Sequence, residues 1–194
     1  MNAIKLGFAL TGSFCTFESA LAAMKVCKAE GYDILPILSE NAATKDTRFG
    51  KAADFIERIT AVCGRAPICS IESAEPIGPK NLTDVLVVAP CTGNTLAKIA
   101  NAITDTSVTM AVKSHLRSGK PVLLALSTND ALGGSAQNLG RILARKNIYL
   151  LPMYQDDPVG KPNSLMPDFK RLPEGIKAAL NYRQLSPLFV EKPE

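Results

Sequence analysis

Short runs of uninterrupted apolar residues alternate along the chain with segments whose apolar residues recur every three or four positions. Runs of the first kind predict strands at 4–10, Asp33–Leu38, 85–89, 122–125 and 148–151, with a weaker one near 67–71. The central runs are apolar throughout instead of alternating, as a strand covered on both faces requires. Strands that alternate with helices imply parallel pairing, right-handed crossovers and helices on both faces of one sheet.

The helical stripes are distinct. Phe17, Ala20, Leu21, Met24 and Cys27 predict a helix from about 16 to 30, ended by Gly31. Phe49, Ala52, Ala53, Ile56, Ile59 and Cys63 predict the next, with Asp46 as its N-cap and Gly64 past its end. Val108, Ala111, Val112, His115 and Leu116 form a third stripe, closed by Gly119 and Pro121, and Leu139, Ile142 and Leu143 belong to a fourth. Residues 153–173, rich in Pro, Asp, Asn and Lys, make a connection long enough to imply either function or mobility. The chain reads as one domain over 1–185 with a tail over 186–194.

Composition narrows the picture. A formal charge of +4, from 22 basic and 18 acidic residues without a basic run, gives no case for nucleic acid. No segment approaches the roughly 18 apolar residues of a membrane span, and the apolar start at 4–10 lacks the features of a secretory signal, so a soluble cytoplasmic protein is expected. Five scattered cysteines without a CxxC pair fit a reducing compartment, and with His115 as the sole histidine no metal site is expected.

In an open parallel sheet the ligand site forms at the carboxyl ends of the strands, so the loops that follow them are the candidates. After the first strand comes Thr11-Gly12-Ser13-Phe14-Cys15-Thr16, either a plain strand-to-helix turn or a phosphate cradle. It matches neither the P-loop nor the G-x-G-x-x-G pattern. The second loop, Ala89-Pro90-Cys91-Thr92-Gly93-Asn94-Thr95, offers hydroxyls at a helix entrance, with Asn94 serving as an N-cap or as a ligand contact. The third, Ser127-Thr128-Asn129-Asp130, is followed by Gly133 and Gly134. Cys15 and Cys91 stand at strand ends, where filling small spaces is the expected role. His115 reads as a packing residue, and Asp156-Asp157 as shaping a loop.

Together the three loops resemble the flavoprotein family that includes cysteine decarboxylases and flavin prenyltransferases. The segment from Ala89 to Asn101 is similar to that family's APASANTLAKIAN motif, departing at Cys91 and Gly93. Ser127-Thr128-Asn129-Asp130 stands in place of its P-x-M-N segment and keeps Asn129. The resemblance implies a flavodoxin-like doubly wound sheet in three αβα layers, a homo-oligomer, and flavin mononucleotide (FMN) held by Thr11, Gly12, Ser13, Phe14, Ser39, Pro90, Cys91, Thr92, Asn94, Ser127, Thr128 and Asn129. Where the cysteine decarboxylases carry a histidine, this chain has Ile77-Gly78-Pro79-Lys80, which removes their acid/base group.

Thr47-Arg48-Phe49-Gly50, the segment from Ala74 to Lys80, Lys146-Asn147-Ile148-Tyr149, Gln155-Asp156-Asp157-Pro158 and Lys161-Pro162-Asn163-Ser164 resemble one branch of that family, the B subunits of dipicolinate synthases. This branch implies work with an A subunit in the mother cell of a spore-forming bacterium, on a dihydrodipicolinate-type dicarboxylate whose negative groups Arg48, Lys80 and Lys161 would receive. Which residue is catalytic stays open. The alternatives are a non-catalytic partner that stabilises the A subunit and a decarboxylase of cysteine-type substrates.

Overall fold

A computed structural model describes residues 3–193, so that Glu194, at the end of the expected tail, lies outside the described residues. Five parallel strands form the central sheet: β1 (Lys5–Leu10), β2 (Asp33–Leu38), β3 (Val85–Cys91), β4 (Val122–Leu126) and β5 (Ile148–Leu150), in the order β2-β1-β3-β4-β5. This is the flavodoxin-like order, in which the winding of the sheet reverses between β1 and β3.

Side chains alternate between the two faces of the sheet. Leu6, Phe8, Leu10, Val85, Val87 and Ala89 meet α1 (Phe17–Ala29), α3 (Ala52–Cys63) and α8 (Leu172–Leu180). On the other face Ala9, Leu86, Val88, Leu124 and Leu126 meet α4 (Ile71–Ala74), α5 (Gly93–Ala100), α6 (Ser107–Arg117) and α7 (Ala136–Leu143). β3 is buried at all seven positions, which is why its run is apolar without interruption. A short helix, α2 (Glu40–Thr44), follows β2, and a small antiparallel pair, β6 (Met153–Tyr154) with β7 (Met166–Pro167), stands beside the sheet.

Three local expectations change. The weak strand near 67–71 reduces to one bridge, Ile37 to Ile68, because only two backbone bonds join this segment to β2. Helix α3 begins at Ala52 with Lys51 in the N-cap position, yet Asp46 still satisfies the first turn by accepting from the Ala52 amide at 2.9 Å, while Phe49 is exposed. Gly64 ends that helix with φ 73°, a left-handed conformation that suits a residue without a β-carbon. The stretch from Ser186 runs back along β6: the Met153 amide donates to Leu188 O and the Val190 amide to Met153 O. Among the described residues no helix is long and apolar enough to cross a membrane.

Candidate functional site

At the carboxyl ends of β1, β3 and β4, beside the point where strand order reverses, the loops enclose a cleft of about 900 Å³. Its floor is one hydrogen-bonded series of strand ends. Thr11 Oγ1 donates to Pro90 O at 2.8 Å and accepts from the Thr92 amide at 3.0 Å, joining the first loop to the second. The Ser127 amide donates to Cys91 O at 2.8 Å, joining the second to the third. On the outer side the Ser39 amide donates to Leu10 O at 3.0 Å. The Ala89–Pro90 peptide is cis, and pairing between β3 and β4 shifts register between Val88 and Cys91.

Above this floor the hydroxyls of Ser13 and Ser127 meet at 2.8 Å, and Met166 Sδ lies 3.6 Å from the latter. Phe14, packed on Phe17 with ring centroids 5.1 Å apart, adds an aromatic wall. Thr92 lies in the same cleft and also caps α5, accepting from the Thr95 amide at 3.2 Å. Asp130 shapes the third loop by accepting from the amides of Gly134 at 3.0 Å and Ser135 at 3.2 Å.

The roof comes from the segment between β6 and β7 and from the turn at residues 47–50. Thr128 and Leu165 form an antiparallel bridge, and the Leu132 amide donates to Asn163 O at 3.0 Å, so the roof is fastened to the third loop. Lys161 Nζ donates to Asp156 Oδ2 at 2.9 Å, and this contact, with Ser164 as a further neighbour, holds the Asp156 carboxyl below the usual carboxylate range. Arg48, over the Phe49 ring at 4.9 Å, adds a second cation. The cleft thus joins long-armed cations and paired hydroxyls to apolar walls, a donor set that suits an anionic group attached to a flat ring. An FMN molecule has that form, and the residues present fit it.

Several expected ligands lie elsewhere or have other tasks. Gly12, Ser13, Phe14, Thr92, Ser127, Thr128, Asn129, Arg48 and Lys161 all line the cleft. Thr11, Pro90 and Cys91 are buried beneath it, where burial pushes the Cys91 thiol up to about 12 and keeps it protonated. Ser39 caps α2, accepting from the Ala42 amide at 3.4 Å, and is not a lining residue. Asn94 is exposed on the first turn of α5 outside the lining, and Thr92 takes the N-cap role considered for it. Lys80 lies in the connection before β3, at the opposite end of the strands, too far along the fold to share a ligand with Arg48 and Lys161.

His115 is buried at that opposite end as well. Its Nε2 donates to Pro121 O at 3.0 Å and its Nδ1 accepts from Thr83 Oγ1 at 2.8 Å, so the neutral ring ties α6 to the entrances of β3 and β4. Burial lowers its pKa to about 4.

Asp156, Ser164 and Met166 enter the cleft without having been expected there as ligands. The sequence signals for Asp156 and Ser164 are the unusual length of the 153–173 connection and the branch resemblance of residues 155–158 and 161–164, and for Met166 the length alone.

Matching of the flavoprotein family model to residues 1–168 agrees with this architecture, and the chain belongs to the flavoprotein family. Within that family it is 44% identical to the B subunit of the dipicolinate synthase of Bacillus subtilis (strain 168), over 96% of this chain and 94% of that one. The crystal structure of the dipicolinate synthase B subunit from Bacillus halodurans C is similar over 100% of both chains, with 43% identity and a TM-score of 0.90. An FMN-dependent cysteine decarboxylase shares the fold at a TM-score of 0.66, with 23% identity over 92% of this chain and 95% of that one.

Proposed function

We propose that this chain is the B subunit of a dipicolinate synthase, binding FMN in the cleft and acting with an A subunit to convert a dihydrodipicolinate-type precursor to pyridine-2,6-dicarboxylate. The observation that carries this reading is the agreement with two B subunits over essentially the whole chain, at 43–44% identity. The cleft supports it chemically. Aromatising the ring removes two hydrogens, and a bound flavin supplies a hydride acceptor. Gly12 and Ser13 would hold the phosphate, with Phe14 and Met166 beside the ring system. Arg48 and Lys161, on separate segments of the roof, would take the two carboxylates and orient the precursor. The location implied is the cytoplasm of a sporulating mother cell, and the expected assembly is a homo-oligomer in company with the A subunit.

One observation favours a second reading, in which the chain only stabilises the A subunit: its single histidine is buried far from the cleft, so no imidazole stands ready to take a proton. The same experiment separates the two. FMN is titrated into purified protein and followed by visible absorbance, and the A subunit is then added with precursor while the pyridine product is followed in the ultraviolet. Saturable binding that is lost in Ser13→Asp, where a carboxylate repels the phosphate, together with flavin-dependent product formation, is the expected result. Wild-type protein that takes up no flavin even beside the A subunit would overturn the flavin role and leave the partner role.

A further inference from the structure

Among the described residues, Asp156 and Lys161 are the charged groups of the cleft that contact each other, and they differ in freedom. The Lys161 side chain is 56% exposed and that of Asp156 23% exposed. The backbone of this segment is held by bonds around the pair: Lys192 Nζ donates to the Asp156 carbonyl at 3.1 Å, Gln155 Nε2 donates to Pro162 O at 2.8 Å, and the Lys161 amide donates to Asp157 O at 2.8 Å. The ammonium can therefore leave while the carboxylate stays. Among the described residues, Asp156 Oδ1 is buried and has no hydrogen-bond partner. A buried carboxylate oxygen without a donor is unfavourable, and losing Lys161 would leave the whole group without its main partner.

We propose that Asp156 and Lys161 form an exchange pair that distinguishes the non-aromatic precursor from the aromatic product. The inference rests on the reading of the cleft as a ring-dicarboxylate site. A substrate carboxylate draws Lys161 away from Asp156. A hydrated ring carries an O–H, and a ring whose nitrogen is an amine carries an N–H, that can donate to the uncovered Asp156 carboxylate in return. Pyridine-2,6-dicarboxylate has two carboxylates and a ring nitrogen, all acceptors, and offers nothing in exchange. With the product bound, Asp156 keeps only its Ser164 neighbour and has no opposite charge, so Lys161 returns to it and the product is released. Asp156 is in this scheme a specificity-determining residue whose carboxylate, once Lys161 has left Oδ2, selects for a donor on the ring.

Two stable compounds test the scheme without turnover: cis-piperidine-2,6-dicarboxylate, whose ring nitrogen donates, and pyridine-2,6-dicarboxylate, whose ring nitrogen does not. Each is titrated calorimetrically into the full chain with FMN present. Wild-type protein is expected to bind the piperidine about tenfold or more tightly than the pyridine, as a hydrogen bond to a charged group allows. Asp156→Ala should erase that preference, Asp156→Asn should keep part of it, and Lys161→Met should weaken both compounds. Equal affinities in the wild type, or a preference that survives Asp156→Ala, would overturn the exchange. Both affinities falling equally in Asp156→Ala, with the preference intact, would show that Asp156 merely positions Lys161 and would overturn it too. Wild-type protein that binds neither compound would instead overturn the dicarboxylate reading itself.

Discussion

The β-carbon that Gly93 lacks would lie 2.8 Å from Thr128 Oγ1 and 2.9 Å from Ser135 Oγ. The second and third loops therefore meet through a gap of one missing methyl group. Two of the departures from the wider family's motifs, at Gly93 and in the Ser127-Thr128 segment, occur on the two sides of this contact. Gly93→Ala should destabilise the fold by about 1–3 kcal/mol through overpacking. For a chain of this size that lowers the melting temperature by roughly 2–4 °C per kcal/mol. Measured by thermal or urea unfolding, the loss should shrink when Thr128→Ala and Ser135→Ala are added. An equal loss in both backgrounds would refute the contact.

His115 gives the fold a dependence on pH. Its folded pKa, about 4, lies below the ordinary value near 6.5, so the unfolded chain binds the proton first as pH falls. The stability that depends on the neutral ring is fully present above pH 6.5 and is lost between there and pH 4, on the order of 3 kcal/mol in total. Urea unfolding at a series of pH values should show this decline in the wild type and a shallower one in His115→Gln across the same window.

Thiol chemistry offers a direct report on the cleft. Burial pushes Cys27 and Cys91 up to about 12 and Cys63 to about 11, so these three should resist a thiol reagent at mildly alkaline pH until the chain unfolds. Cys15 and Cys69 are exposed and should react in the native state. Cys15 lines the cleft and Cys69 does not, so FMN should slow labelling of Cys15 alone, read by peptide mass spectrometry. Equal protection of both, or of neither, would count against occupancy of this cleft.

Asp46 reaches the start of α3 from six positions upstream, across the turn that carries Arg48. Asp46→Ala should cost about 0.5–2 kcal/mol as a lost cap and loosen that turn. A comparable loss of affinity for dicarboxylates, with FMN affinity unchanged, is the expected companion effect in the same titrations.

The sheet was legible in the sequence because burial on both faces leaves a simple mark, a run such as Val85-Leu86-Val87-Val88-Ala89 with no polar interruption. The stripes of α1 and α6 were equally plain. What periodicity cannot convey is where a polar side chain goes once loops distant in sequence come together. Thr11 and Thr92 look alike as loop hydroxyls, yet one is consumed in joining strand ends and the other opens onto the cleft. Lys80 and Lys161 likewise look alike as cations near loop prolines, yet one precedes the amino end of β3 and the other lies between β6 and β7 over the carboxyl ends of the strands. Met166 reaches the Ser127 hydroxyl through the Thr128–Leu165 bridge and the β6–β7 pair, and a single bridge and two-residue strands are too short to leave a pattern.

Thr11 joins the strand ends beneath the cleft into one stiff base, while the roof is attached mainly through the Leu165 bridge and the bond to Asn163. Motion that admits or frees a ligand is therefore concentrated on one side. Residence time should be set by how often the roof lifts, and hardly at all by the floor, so Leu165→Pro, which removes the backbone donor to Thr128 O, would alter how fast a ligand arrives and leaves far more than how tightly it is finally held.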